Sequence, residues 1–579
     1  MPKPSLPFVA SVAVGAACFG LLAATSPMLP MAWDEGNAIH RAEGIQHWLG
    51  RFGESGTEPF SKQAIHDDWR YSTQVEGHPA FYGTVIALGE LLTRRWLAPL
   101  QSARVGPMAL FAVAVAASTY RLWRMASPVA GIAGAAAIVT LPRLFAHAHF
   151  ASFDGPLTSC WLLAWATFEP ATRNARWSVV WGIALGATMS SKFTGWFAPL
   201  PFVLWVAAFG DRRAARALTI GVAVAMAAFW AFNPPLWHRP LAGLDMFLDL
   251  NLGRAERAAL NIPTTYFGVR YDARAPLPWH NTLVWTAITV PIGTLALFLL
   301  GLGGALKRWR ARPQLLLVAC NWAILLIVRA TRWAPPHDAE RLFLPSFAFL
   351  GLMAGVGAEV VWAWASNGRR WLRFKRIADP DADALGILSK VAPTLRGAHL
   401  HAGREATAGL RHGVPELRWL GRGFVVAALA GAALSTAWYA PQWLSYYNLV
   451  IGGLRGADAA GMEATYYWDG LDAEVLDWLD EQTADDEKIA FASPAWENLQ
   501  LLRQWGTLRR SCLPHEAGRH RWYVVQRRAS LWSDADRRPV ERERAAFRKT
   551  VRAWGWGPWR LDVPIIEVFS YDQYLRARD

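Results

Sequence analysis

Apolar residues in this chain gather in long runs instead of alternating with polar ones, and the runs set the first expectation. Stretches able to cross about 30 Å of hydrocarbon as helices fall near 8–28, 104–120, 129–148, 156–169, 177–191, 193–210, 216–232, 281–304, 314–330, 342–365 and 422–441. Eleven spans are expected. Several fall short of the usual ~20 residues, so adjacent short runs can also be halves of one broken helix. The run 80–92 follows His78-Pro79 and ends at Arg94 and Arg95. It reads as an interfacial helix.

Flanking charge orders these runs. The loops after every second span carry Arg121 and Arg124; Arg173 and Arg176; Arg212, Arg213 and Arg216; Lys307, Arg308, Arg310 and Arg312; and Arg369, Arg370, Arg373, Lys375 and Arg376. Such loops face the cytoplasm. The first run is then an uncleaved anchor, although Ala23-Ala24-Thr25 leaves a cleaved signal peptide as the competing reading. The remaining loops, on the extracytoplasmic side, hold Asp34, Glu35, Glu76, His78, Asp154, His238, His280, His337, Asp338 and Arg341.

Composition agrees with a membrane protein: 53% of residues are hydrophobic and 18% charged, and mean hydropathy is +0.14. The net charge of +14 would suggest nucleic acid in a soluble chain. Here the excess sits in alternate loops, beside anionic lipid heads, and no nucleic-acid partner is expected. Cys18, Cys160 and Cys320 lie inside apolar runs, so no disulfide framework follows.

The expected organisation is an α-helical polytopic membrane domain over 1–443. It includes a first extracytoplasmic loop at 31–103, with its interfacial helix, and a basic cytoplasmic loop at 367–421. A small extracytoplasmic α/β domain follows at 444–579. In that tail, Ala473–Leu479 has helical spacing, and Lys488–Ser493 and Trp522–Gln526 read as strands.

The candidate chemistry lies at helix ends on one face. Asp34-Glu35 follows the first span; adjacent carboxylates that are partly desolvated there can serve as a base, or can simply be a solvated helix end. Glu76-Gly77-His78-Pro79 opens the interfacial helix, where His78 either meets an anion or caps. Asp154, with His147 and His149 close by, can bind a divalent cation or orient another group, or these can be ordinary interface residues; Glu76, His78 and Asp154 are the candidate metal ligands. Lys192 interrupts apolar sequence and is a functional candidate for that reason, with snorkelling as the simpler account. The aromatic loop that ends at Pro278-Trp279-His280 suits sugar stacking or an interface belt. Arg329, Arg332, His337, Asp338 and Arg341 crowd one outer loop, and phosphate is the natural partner of guanidiniums placed there.

In this order, the residues resemble the GT-C superfamily of lipid-dependent membrane glycosyltransferases, in particular the dolichyl-phosphate-mannose protein mannosyltransferase and aminoarabinose transferase branch. The resemblance is carried by Asp34-Glu35, Glu76-Gly-His-Pro, Asp154-Gly-Pro-Leu, Lys192-Phe-Thr, Pro278-Trp279 and Arg341-Leu-Phe-Leu-Pro. It departs at His78-Pro-Ala, where the mannosyltransferases read His-Pro-Pro.

The resemblance implies a polyprenyl-phosphate-linked sugar donor in the inner membrane and inverting transfer to a protein, lipid or glycan acceptor outside the cytoplasm. It assigns Asp34 as general base, with Glu35 and Asp154 orienting the acceptor. Lys192, His78 and Arg341 would face the lipid phosphate, and His280 and His337 would line the substrate. A divalent cation is compatible with the family but not required by it. A transporter or flippase of lipid-linked glycans is the rival reading, and it would want polar residues through both leaflets.

Overall fold

The computed structural model describes residues 5–53, 58–70, 77–253, 261–367, 415–514, 518–552 and 562–578. Glu76, and the basic loop from 368 to 414, lie outside the described residues. All eleven apolar runs contain helix. Pro99, Pro128, Pro142, Pro199 and Pro313 stand in the first turn of their helices, where the missing N–H is no loss and φ is preset. Ser127 and Asp211 cap by accepting from the backbone N–H of Ala130 and Ala214.

By length and apolarity, five described helices can each cross a membrane: Leu6–Met28, Pro99–Met125, Arg212–Ala231, Ala339–Ser366 and Trp419–Trp438. The number is six if the pair Pro128–Val139 and Pro142–His149, bent by 73°, counts as one. That is fewer than the eleven expected, for physical reasons. The run 129–148 breaks before Pro142, and 281–304 divides around Pro291 into Asn281–Thr289 and Ile292–Lys307. Asp154–Arg173 carries Asp154, Glu169 and Arg173, and Phe193–Phe209 and Pro313–Arg329 are shorter apolar helices.

Asp154–Arg173 sits inside the bundle, packed against Pro99–Met125, Ala175–Met189, Arg212–Ala231 and Leu344–Asn367. Trp161 on it is fully buried and donates to Asn321 at 2.7 Å. The helix Phe81–Thr93 has 13 residues, about 20 Å of rise, and packs on Glu35–Gly50 and Pro99–Met125.

The C-terminal segment holds a five-stranded sheet. Its order is Ser511–Pro514, Lys488–Phe491, Trp522–Gln526, Val563–Ser570 and Phe547–Val551. The first three strands run parallel, and the last two join antiparallel. This sheet shares one apolar core with the first loop: Ile39, Ala42 and Ile86 bury with Leu499, Val524 and Ile566. The seam runs beside Asp34. Gly36 N–H donates to Asn498 Oδ1 at 3.0 Å, and Asn498 Nδ2 donates to the Ala32 carbonyl at 2.7 Å. A Cβ on Gly36 would meet Asn498 at 2.5 Å, so the close approach requires glycine.

Candidate active site

The loop after the first helix is organised by one buried ion pair. Arg104 donates to Glu35 through Nε at 2.8 Å and Nη2 at 2.6 Å. Its remaining donors reach the carbonyls of Ser26, Leu29 and Pro30. Glu35 also accepts from the N–H of Ala32 and of Ala151, both at 2.8 Å. Its carboxylate is fully buried and satisfied from four directions, so it presents no oxygen to a substrate. This corrects the expectation that Glu35 shares the chemistry with Asp34. Glu35 fixes the turn that aims its neighbour.

Asp34 stands before the helix Glu35–Gly50 without capping it. Its Oδ2 accepts from Arg341 Nη2 and, at 2.9 Å, from the Tyr467 hydroxyl. Arg341 is the hub. Through Nε it donates to Asp154 at 2.7 Å, and through Nη1 to Asp338. The second oxygen of Asp154 accepts from Lys192 Nζ at 2.7 Å. Asp338 also accepts from Arg528 Nη2 at 2.8 Å. Three cations and three carboxylates, from five separate segments of the chain, therefore form one cluster, and Glu463 adjoins it 3.7 Å from Arg528.

The backbone bends to make this arrangement. Asp338 and Ala339 both hold positive φ, 58° and 47°, which costs of order 1–3 kcal/mol at a non-glycine residue and is commonly kept for function. Arg329 grips the approach by donating to the carbonyls of Pro335, of Pro336 at 2.7 Å and of His337 at 3.2 Å.

Electrostatics separate the two loop carboxylates. Burial pushes the Asp34 carboxyl upward, and the attraction of Arg341 does not fully reverse it because Asp338 and Asp154 add repulsion. Burial also acts on Asp338, but Arg528 and Arg341 outweigh it, and its carboxyl is held well below the usual range. One carboxylate is thus poised to take a proton while the other stays an anion. Asp34 keeps 18% of its side chain exposed, against 4% for Asp338, so it is also the more accessible of the two.

Aromatic faces close the cluster. Phe153 lies under Lys192 at 4.6 Å and under Arg341 at 5.0 Å, and Arg341 also covers Tyr467 at 4.3 Å. His78 also packs on Phe153, with ring centroids 4.6 Å apart. It is carried there by Gly77 at φ 66° and by Ala80, whose N–H donates to Asn233 at 2.8 Å. Asn233 in turn donates to Ser190, two residues before Lys192, at 3.1 Å.

Of the residues expected in the site, the structure brings together Asp34, Asp154, Lys192 and Arg341, with His78 against their aromatic floor. His337 lies next to Asp338 and contributes its carbonyl to the grip of Arg329. His280 departs from expectation: it stands exposed at the start of Asn281–Thr289, with its ring against Trp279. Of the expected cation set of Glu76, His78 and Asp154, Glu76 lies outside the described residues. Asp154 is engaged by two cations, and among the described residues no group of three or more His, Cys, Asp or Glu side chains is placed to hold a metal.

Sequence reasoning missed Tyr467, Arg528 and Arg104. Arg104 stands at the start of an apolar run, where an ionisable group needs a reason. Tyr467 and Arg528 belong to a tail with many similar residues, and nothing local distinguishes them.

A second buried network adjoins the first. Glu340 accepts from Arg143 and from the Tyr466 hydroxyl, both at 2.7 Å, and Tyr466 lies 3.1 Å from His147 Nε2.

Residues 78–238 match the family of dolichyl-phosphate-mannose-protein mannosyltransferases. The matched segment holds His78, Asp154 and Lys192, and the expected resemblance to membrane glycosyltransferases holds over it. No curated protein matches the chain by sequence. Among solved structures, ArnT from Cupriavidus metallidurans in the apo state is 12% identical with TM-score 0.49, covering 97% of each chain. The same protein bound to undecaprenyl phosphate is 14% identical with TM-score 0.46, covering 98% of each. The archaeal oligosaccharyltransferase AglB from Archaeoglobus fulgidus, in complex with an inhibitory peptide and a dolichol-phosphate, is 12% identical with TM-score 0.47, covering 90% of this chain and 69% of its own.

Proposed function

Taking the mannosyltransferase-like segment as premise, we propose that this membrane glycosyltransferase moves a sugar from a polyprenyl-phosphate donor to an acceptor hydroxyl or amine, with inversion and with Asp34 as general base. The observation that carries the reading is the cluster of Asp34, Asp154, Lys192 and Arg341. The Asp34 carboxylate pairs with Arg341, and Asp154 bridges Arg341 to Lys192, so a poised carboxylate stands beside two cations suited to a phosphate.

The charge arithmetic of the reaction supports it. A phosphodiester donor carries one negative charge, and the departing lipid phosphate carries about two. If Asp34 takes the acceptor's proton as the sugar leaves, the gain on phosphate is matched by the loss on the carboxylate. The site's net charge then stays constant through the step. Lys192 and Arg341 neutralise the phosphate where charge develops, while Asp154 and Asp338 hold those cations in place. A single displacement needs one base and no covalent sugar intermediate, which is why inversion follows.

We place the site on the extracytoplasmic side, since Arg121, Arg173, Arg212 and Lys307 occupy the opposite ends of the helices concerned. The transporter reading finds less support, because between the ionic groups at its two ends the middle of Asp154–Arg173 is packed, with Trp161 and Leu162 fully buried.

Mass spectrometry of polyprenyl-linked lipids, in cells with and without the protein, tests the proposal. A lipid-phosphate sugar should accumulate on removal and fall on restoration. An unchanged lipid-linked pool would refute donor use.

A further inference from the structure

The helix Asp154–Arg173 begins at the ionic cluster and ends in a cleft. Its 20 residues rise about 30 Å, roughly one hydrocarbon core. At the far end a cavity of about 510 Å³ opens between this helix, the end of Pro99–Met125 and the start of Ala175–Met189. Small-molecule clefts occupy roughly 300–1,000 Å³.

Its working lining is Tyr120, Arg121, Arg124, Glu169, Arg173 and Trp177. Glu169 accepts from Arg121 and, at 2.7 Å, from Arg173. It is the one carboxylate of this lining against three guanidiniums. Positive charge is therefore in excess, and among the described residues Arg124 has no carboxylate beside it in the cleft. Tyr120 and Trp177 are 38% and 43% exposed, as rings at headgroup depth are. Guanidiniums suit phosphate, and the flanking aromatic and apolar wall suits methylenes. A soluble anion would use the first feature only.

We propose that this cleft binds one acidic phospholipid, with its phosphate on Arg124 and Arg173 and the start of an acyl chain against Trp177. Glu169 competes with the phosphate for Arg173, so it sets the affinity from within the cleft. The site lies a membrane thickness from Asp34 and does not depend on the transfer chemistry.

The test is native mass spectrometry of the full-length protein with phosphatidylglycerol or phosphatidylcholine, and with inorganic phosphate as competitor. The wild type should retain one phosphatidylglycerol in preference to phosphatidylcholine. Arg124→Ala with Arg173→Ala should weaken that retention about tenfold or more, while Glu169→Gln strengthens it. Both arginines are exposed, so the core is untouched, and Glu169→Gln decides the matter if the double variant misfolds. Trp177→Ala should weaken the lipid and leave inorganic phosphate binding unchanged. Equal retention of the two lipids, no response to the arginine pair, or a weakened lipid on Glu169→Gln would overturn the proposal. So would full displacement by inorganic phosphate with no effect of Trp177→Ala, which would assign a soluble anion instead.

Discussion

Tyr467 donates its hydroxyl to Asp34 at 2.9 Å, and the Trp33 N–H in return donates to the Tyr467 carbonyl at 2.8 Å. The stretch between the last membrane helix and the C-terminal sheet is thus fastened to the carboxylate proposed as the base. Because the hydroxyl stabilises the ionised form of Asp34, Tyr467→Phe removes a downward pull on a carboxyl already raised by burial. The acid limb of the pH–rate profile should move to higher pH, with little change at the plateau. An unmoved limb would separate Tyr467 from the titrating group.

Glu35→Gln should act on stability and not on chemistry. Removing the charge leaves Arg104 buried against a neutral partner, and breaking such a pair costs about 3–5 kcal/mol. Thermal unfolding should fall clearly, while the rate per folded molecule changes far less than for Asp34. A catalytic collapse at unchanged melting temperature would return Glu35 to the chemistry.

Arg528→Ala should weaken donor use from a distance. It frees Asp338, which then competes more strongly for Arg341 and loses its hold on the left-handed turn. The expected result is a raised KM for donor, with a smaller fall in kcat. Arg528→Lys restores the charge and should recover part of the loss. Steady-state kinetics of both variants check this. Equal loss in kcat with unchanged KM would contradict a positioning role.

How far the sequence reveals this site depends on local contrast. Asp154, Lys192 and Arg341 stand out because each is an ionisable group at the edge of an apolar run, where its presence needs a reason. Asp34 stands out by position after the first span. Tyr467 and Arg528 have no such background, since tyrosine and arginine are ordinary in a polar tail. Tertiary packing brings them near: Tyr467 buries against Phe150 and His147, and the sheet before Arg528 shares a core with Ile39 and Ile86. Glu35 misleads for a related reason: a dipeptide cannot say that one carboxylate turns inward to Arg104 while its neighbour turns out. Among the helices, Pro142 and Pro291 signal breaks in the chain, but the 73° bend is set by packing that no local pattern records.

Arg341→Lys tests geometry apart from charge. A lysine keeps one positive charge but cannot reach Asp34, Asp154 and Asp338 together, because it lacks the planar fork. Transfer should drop by roughly 10–100-fold, a loss of about 1.4–2.7 kcal/mol, with donor KM raised. Wild-type kinetics in this variant would show that the bridge is dispensable.

The most direct trial is single-turnover transfer from a polyprenyl-phosphate sugar donor by purified wild type and Asp34→Asn. Asparagine preserves size and can still accept from Tyr467 and Arg341, but it cannot take a proton. Loss of the general base should slow transfer about 10²–10⁴-fold, with polyprenyl phosphate still bound and melting unchanged. An Asp34→Asn protein that transfers sugar at the wild-type rate would contradict the account.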